Sequence, residues 1–264
     1  MKRQLKYQFF LGRKANFCWV ILFLLVIFTF VVYLMNHLQY SGIINLSELE
    51  KGANMYLKTT FLGIVLNFYY SDKIILFVGA FVVLFTLMEN QSGFIKAIYS
   101  SFVSPKKVVM AKLAVILTFI VASFFIVFCI TGLCSLTFLK HNGFGDFTHF
   151  LILSLVQILI EFSFSAIIMF FCLLIKSTLP SLLSTLFYIM FAPVTVYRLI
   201  DLIFRNVFKI ENFAIARLLP YGNTYILEQS DSRQHFIIAI VSSIFFLVVP
   251  NYLSVKLLSD RDVL

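Results

Sequence analysis

The sequence predicts an all-α membrane protein. Six transmembrane helices are expected, with an N-terminal interfacial helix before the first and a short cytoplasmic helix between spans two and three. Three observations carry this expectation. Of 264 residues, 61% are hydrophobic and only 12% charged, whereas soluble domains are about half apolar and about a quarter charged. The apolar residues come in continuous runs, not in the strict alternation of a barrel strand. In lipid only helices and closed barrels satisfy their backbone polar groups, so continuous runs mean helices.

The elements follow in order. MKRQLKYQFFLGRK interleaves bases with Leu5, Tyr7, Phe9 and Phe10, a mixture suited to a helix lying in the inner interface. Span one is Phe17–Met35, long and without a small-residue cleavage site after it, so it is not a cleaved signal. Within the outer segment 37–73, the stretch 59–70 reads as an amphipathic surface helix or a shallow re-entrant segment. Span two, Ile74–Met88, is short of the roughly 20 residues a bilayer core requires and must borrow from one side. Span three is Leu113–Leu139, and Ser104–Pro105 ahead of it is a favourable N-cap and first-turn pair. Span four is 150–175. Span five is 179–197, opened by Pro180 and bent by Pro193. The outer segment 198–235 carries two amphipathic stretches, LIDLIFRNVF and IENFAIARLLPYG, and span six is 236–255 with Pro250 near its end.

Charge orients the bundle, because Lys and Arg in short loops favour the cytoplasm. The N-terminus, the loops after spans two and four and the C-terminus together hold twelve bases and three acids; the opposite side holds nine bases and eight acids. Both termini are therefore expected in the cytoplasm of a plasma-membrane protein. The basic balance reflects orientation, not nucleic-acid binding. Cys18, Cys129, Cys134 and Cys172 fall inside apolar runs and read as small buried hydrophobes. His37, His141, His149 and His235 sit at outer span ends, as boundary residues and not as a metal site. The chain has no G-x-x-x-x-G-K-[ST] loop, HExxH or G-x-S-x-G elbow, so a catalytic reading is poor.

The stretch LMENQSGFIKAIYSSFVSPKKVVMAKL, residues 87–113, carries the most information. Glu89 to Gly93 breaks span two, and then Phe94, Ile98 and Phe102 recur every four residues along one helical face. Ser104–Pro105 closes that short helix, and Lys106, Lys107 and Lys112 anchor span three. An apolar face at the tip of a hairpin is available to fill a groove on another protein.

With Glu89, Gly93, Lys106–Lys107 and Lys112 in that order, and LLSDRDVL at the end, the chain resembles the permease subunit of ABC-2 type transporters. The resemblance implies a single ABC-2 type transmembrane domain over residues 1–264. It implies that a separate cytoplasmic ATPase binds ATP and Mg, so that no cofactor sits in this chain. It also implies that 92–103 couples the two, with Glu89, Gly93, Phe94, Ile98, Phe102, Lys106 and Lys107 forming the ATPase-coupling region. Two permease chains, identical or related, would pair within membrane lipids around the transport path.

Glu161 is the one acid inside an apolar run, and Gln157 and Ser165 lie one turn to either side. An ionised acid at a helix centre costs about 2.5–3.5 kcal/mol, so it faces a bundle interior, a partner or water. Two readings stay open: a substrate-path strip formed by Gln157, Glu161 and Ser165, or a protonated group bonded to a neighbouring helix. The aromatic content of 17% suits a hydrophobic or amphipathic peptide, such as an antimicrobial one, or a lipid-like compound, exported by a bacterial cell or removed for self-protection. The competing class is an ATPase-independent polytopic immunity or scaffold protein, and a neighbouring reading frame with a Walker A loop would separate the two.

Overall fold

The computed structural model describes residues 2–40, 60–91, 104–137, 143–191, 195–207, 209, 214–229 and 233–261. Among them the α-helices are α1 (Lys2–Lys14), α2 (Asn16–Tyr40), α3 (Phe61–Tyr69), α4 (Asp72–Gln91), α5 (Pro105–Thr137), α6 (Phe147–Ile175), α7 (Thr178–Phe191), α8 (Tyr197–Val207), α9 (Pro220–Gln229) and α10 (Arg233–Arg261). A 3-10 turn at Ile215–Arg217 precedes α9, and no described residue is in a strand.

Helix α1 is amphipathic as expected. Gln8, Gly12 and Ala15, spaced at four and three residues, are buried, while Arg3, Lys6, Arg13 and Lys14 are exposed. The indole Nε1 of Trp19 donates to the Arg13 carbonyl at 3.0 Å, pinning the corner into α2. In α2 a four-residue stripe of Ile21, Leu25, Thr29 and Tyr33 faces the core. The Thr29 hydroxyl returns to the Leu25 carbonyl, so its burial leaves no orphan donor.

Helices α2, α5, α6 and α10 are each long and apolar enough to cross a membrane, and α3 with α4 makes a fifth candidate bent by 44°. Span two thus borrows residues on the side preceding it. Helix α3 is not the surface helix that was one of the two expectations: Phe61, Leu62, Ile64, Val65, Phe68 and Tyr69 are all buried. Its N-terminus is capped by the Thr60 hydroxyl accepting from Gly63 N–H, and Phe61 and Leu62 donate to the carbonyls of Gly143 and Phe144. Aromatic contacts fix it further, with Phe61 stacked on Phe144 at 5.6 Å and Tyr69 4.4 Å from Phe124.

Of the expected span over 179–197, residues 192–194 lie outside the described residues. Helix α7 stops at Phe191 and α8 begins at Tyr197. Fourteen residues rise only about 21 Å, against a hydrocarbon core of about 30 Å. Pro193, outside the described residues, has no N–H and cannot bond the Ile189 carbonyl as helix continuation requires. In contrast α5 starts at Pro105, eight residues before the expected span, with Lys107 N–H bonded to the Ser104 carbonyl.

Helix α6 is central: 56% of its most apolar window is buried in the chain, against 22% for α2 and 17% for α10. It packs on α3, α4, α5, α7, α9 and α10. Where α4 meets α6 and α7 the crossing residue is Gly79; a Cβ there would sit 3.0 Å from Thr185 Cγ2 and 3.4 Å from Ile168 Cδ1. Small residues at such points let membrane helices approach closely. Phe81 and Phe119 stack face to face, 3.8 Å apart, between α4 and α5.

Of the cysteines, Cys134 and Cys172 are buried, Cys18 is partly so, and Cys129 is exposed on α5. The burial expectation therefore fails at Cys129. In the 198–235 segment, α8 is amphipathic, exposing Leu199, Leu202 and Ile203, and Asp201 accepts from Ile215 N–H at 2.7 Å. Of the second stretch, residues 214–222 are described. They give the 3-10 turn and the buried start of α9, where Gly222 lies against the Ala216 backbone too closely to admit a side chain.

Candidate functional site

Among the described residues, two clusters bring buried charged or amide side chains together. The first lies at the lysine-rich end, where α1, α4 and α5 meet. Glu89, two residues before the end of α4, is 3% exposed, and Lys112 on α5 is 5% exposed. Their charged atoms are 2.6 Å apart. Gln8 of α1, fully buried, donates through Nε2 to the other Glu89 oxygen at 2.7 Å. Lys112 also donates to the Thr86 carbonyl at 3.1 Å and lies 5.6 Å from the Phe85 ring centre. Each charge is thus matched and further hydrogen-bonded, the condition for burying an ion pair at all.

The sequence positions this cluster simply. Gly12 lets α1 pass close to α4 and α5: a Cβ there would meet Val115 at 3.1 Å and Phe85 at 3.7 Å. Gln8, one turn earlier on the same face, then reaches Glu89. Tyr7 next to it has its phenol pushed above the ordinary value, first by burial and then by the negative charge of Glu89. The cluster ties three helices together at the two ends of the 92–103 connection.

Of the expected coupling residues, Glu89 is locked in this clamp, while Lys106 and Lys107 are exposed on the first turn of α5 and do not join it. Gly93, Phe94, Ile98 and Phe102 lie outside the described residues. Lys112 was legible as the Lys of the motif but not as the partner of Glu89. Gln8 was missed; its only signal was the spacing of Gln8, Gly12 and Ala15 on the face of α1 away from the bases.

The second cluster is the strip on α6. Gln157, Glu161 and Ser165 are all buried to within 1%. Gln157 Nε2 donates to the Thr224 hydroxyl of α9 at 3.3 Å, and the neighbouring Asn223 bonds Ser242 of α10 at 2.7 Å. Gln157 therefore faces a helix of its own chain, and α10 is the main neighbour of α6. Sequence reasoning found the strip but had no means of locating Thr224, which lies 67 residues away. No group of three or more His, Cys, Asp or Glu capable of holding a metal occurs among the described residues.

No curated protein matches this chain. A family model described as ABC-2 family transporter protein matches residues 10–192, from within α1 past the end of α7 and including both Glu89 and Lys112. With more than two thirds of its 264 residues inside that match, the chain is a multi-pass membrane protein that belongs to the ABC-2 transporter family.

Proposed function

We propose that this chain is the permease of an ATP-driven exporter. A separate cytoplasmic ATPase binds ATP and Mg, and residues 92–103 dock in its groove as the coupling helix. The observation that supports this best is the buried Glu89–Lys112 pair braced by Gln8. A buried pair adds little net stability compared with apolar packing, but it can fix register. Here it fixes the ends from which 92–103 springs, so a push on that segment moves α1, α4 and α5 together. In this reading both termini are cytoplasmic and α7 with the chain after it completes a sixth crossing. A second permease chain pairs with this one. The strip Gln157–Glu161–Ser165 lies on the cargo path, and the cargo is a hydrophobic or amphipathic peptide or a lipid-like molecule.

The test is Ile98→Asp or Phe102→Asp. A charge forced unpaired into a protein groove costs about 2–5 kcal/mol. Both variants should still insert, because the positions lie outside the lipid core, while co-purification of the ATPase and its hydrolysis rate both fall. Normal recovery and normal rates in both variants would overturn the coupling assignment.

A further inference from the structure

We infer that the cleft between α6 and α7 seats one acyl chain of an anionic phospholipid, with Lys176 at the phosphate. The two helices are joined by the two-residue turn Lys176–Ser177 and diverge to leave a cleft of about 800 Å³, walled by Phe164, Phe171 and Ile175 on one side and Leu183, Phe187 and Phe191 on the other. Two of the three hydroxyls on its wall, those of Ser184, Thr185 and Tyr188, are engaged elsewhere: the Ser184 hydroxyl donates to the Ser181 carbonyl at 3.0 Å, and the Tyr188 and Tyr197 hydroxyls share a bond of 2.7 Å. A peptide in this cleft would find little to satisfy its backbone, whereas a hydrocarbon chain needs nothing. Phe164 and Ile175 are eleven residues apart on α6, about 16 Å along the axis. That matches half of a hydrocarbon core about 30 Å thick, the depth of a single leaflet.

Lys176 directly follows Ile175, the last residue of α6 and part of the cleft wall. Lys176 is exposed and takes the left-handed conformation (φ 61°) that ends α6. No Asp or Glu occurs between Glu161 and Asp201, so neither helix offers the ammonium a competing carboxylate near this turn. A phosphodiester is the anion available at that depth, and basic residues beside such clefts favour anionic headgroups. In the proposed orientation this is the inner leaflet; the binding site does not depend on that orientation.

Native mass spectrometry of the full chain with added phosphatidylglycerol or phosphatidylcholine reads the site directly. One base at the surface corresponds to about a fivefold preference for the anionic lipid. Lys176→Gln should abolish that preference while leaving phosphatidylcholine retention intact. Leu183→Trp, at a side chain 58% exposed, should fill the cleft and reduce retention of both lipids. Equal retention of the two headgroups by the wild type, or no effect of Leu183→Trp, would overturn the inference. So would efficient disulfide formation between two copies carrying Leu183→Cys, since a second chain would then cover the cleft. A Ser177→Cys thiol labelled from outside intact cells would reject the orientation alone, with the lipid preference unchanged.

Discussion

The hydroxyl of Tyr221 in α9 donates to the backbone carbonyl of Ile189 in α7 at 3.0 Å, and that carbonyl is the one whose helical donor would have been Pro193. The tyrosine, fully buried, substitutes for a missing N–H. Its ring also packs 5.5 Å from Phe164 of α6, so a single side chain joins three helices where α7 ends.

Tyr221→Phe keeps the ring and removes only that donor. Hydrogen bonds between membrane helices average about 0.6 kcal/mol and reach about 1.7 kcal/mol, and a loss toward the upper end is expected because Pro193 has no N–H to offer that carbonyl. Pro193→Ala restores a backbone donor, so the penalty of Tyr221→Phe should shrink in that background. Unfolding midpoints in detergent for the four proteins of the cycle measure the coupling; additivity would show that the two positions are independent.

At the clamp, replacing one charge strands the other. Glu89→Leu or Lys112→Met should each destabilise by about 3–5 kcal/mol, while the double replacement should cost much less than the sum. Gln8→Ala removes one hydrogen bond to a charged group, about 1.5–3 kcal/mol. Equal and additive losses in the double variant would mean that the pair contributes no specific interaction.

Orientation is checked with single cysteines in a background lacking the four native ones. Ser100→Cys should react only after permeabilisation, and Gln234→Cys, exposed at the start of α10, should react in intact cells. Asp146 is unsuited to this purpose because its carboxylate caps α6, accepting from Thr148 and His149 N–H. Labelling of both positions from outside would reject the arrangement.

For the α6 strip, Glu161→Gln retains shape and hydrogen bonding and should cost less than about 1 kcal/mol, whereas Glu161→Leu leaves buried polar neighbours unmatched at about 1–3 kcal/mol. If the carboxylate contacts cargo, cargo-stimulated ATP hydrolysis drops in the Gln variant at unchanged thermal stability. Full stimulation in that variant would assign Glu161 to packing alone.

Much of the fold was legible because lipid imposes one rule on every span, a continuous apolar run of sufficient length. The rule found α2, α4, α6 and α10 within a few residues, and placed the start of α5 eight residues late. It failed where tertiary contacts decide. Helix α3 is as apolar as a span yet nine residues long, and only its contacts with α5 and α6 show it to be interior. Span five read as one run with Pro193 as a bend, and the sequence held no sign that Tyr221 of α9 would donate to the Ile189 carbonyl. At the site, Glu89 and Lys112 were visible as members of the charged stretch between spans two and three. Their pairing was not, since it depends on how α4 and α5 align and on Gly12 admitting α1.

The clamp also bears on how the chain is made. Glu89 and Lys112 stand 23 positions apart, so both leave the ribosome within seconds of each other at about 5–20 residues per second. An unmatched ionised group enters the membrane poorly, but Glu89 and Lys112 cancel each other once paired and are close in sequence. Helices α4 and α5 are thus suited to partition as a unit. Gln8, synthesised earlier and waiting at the surface, can close on Glu89 before α6 has been translated.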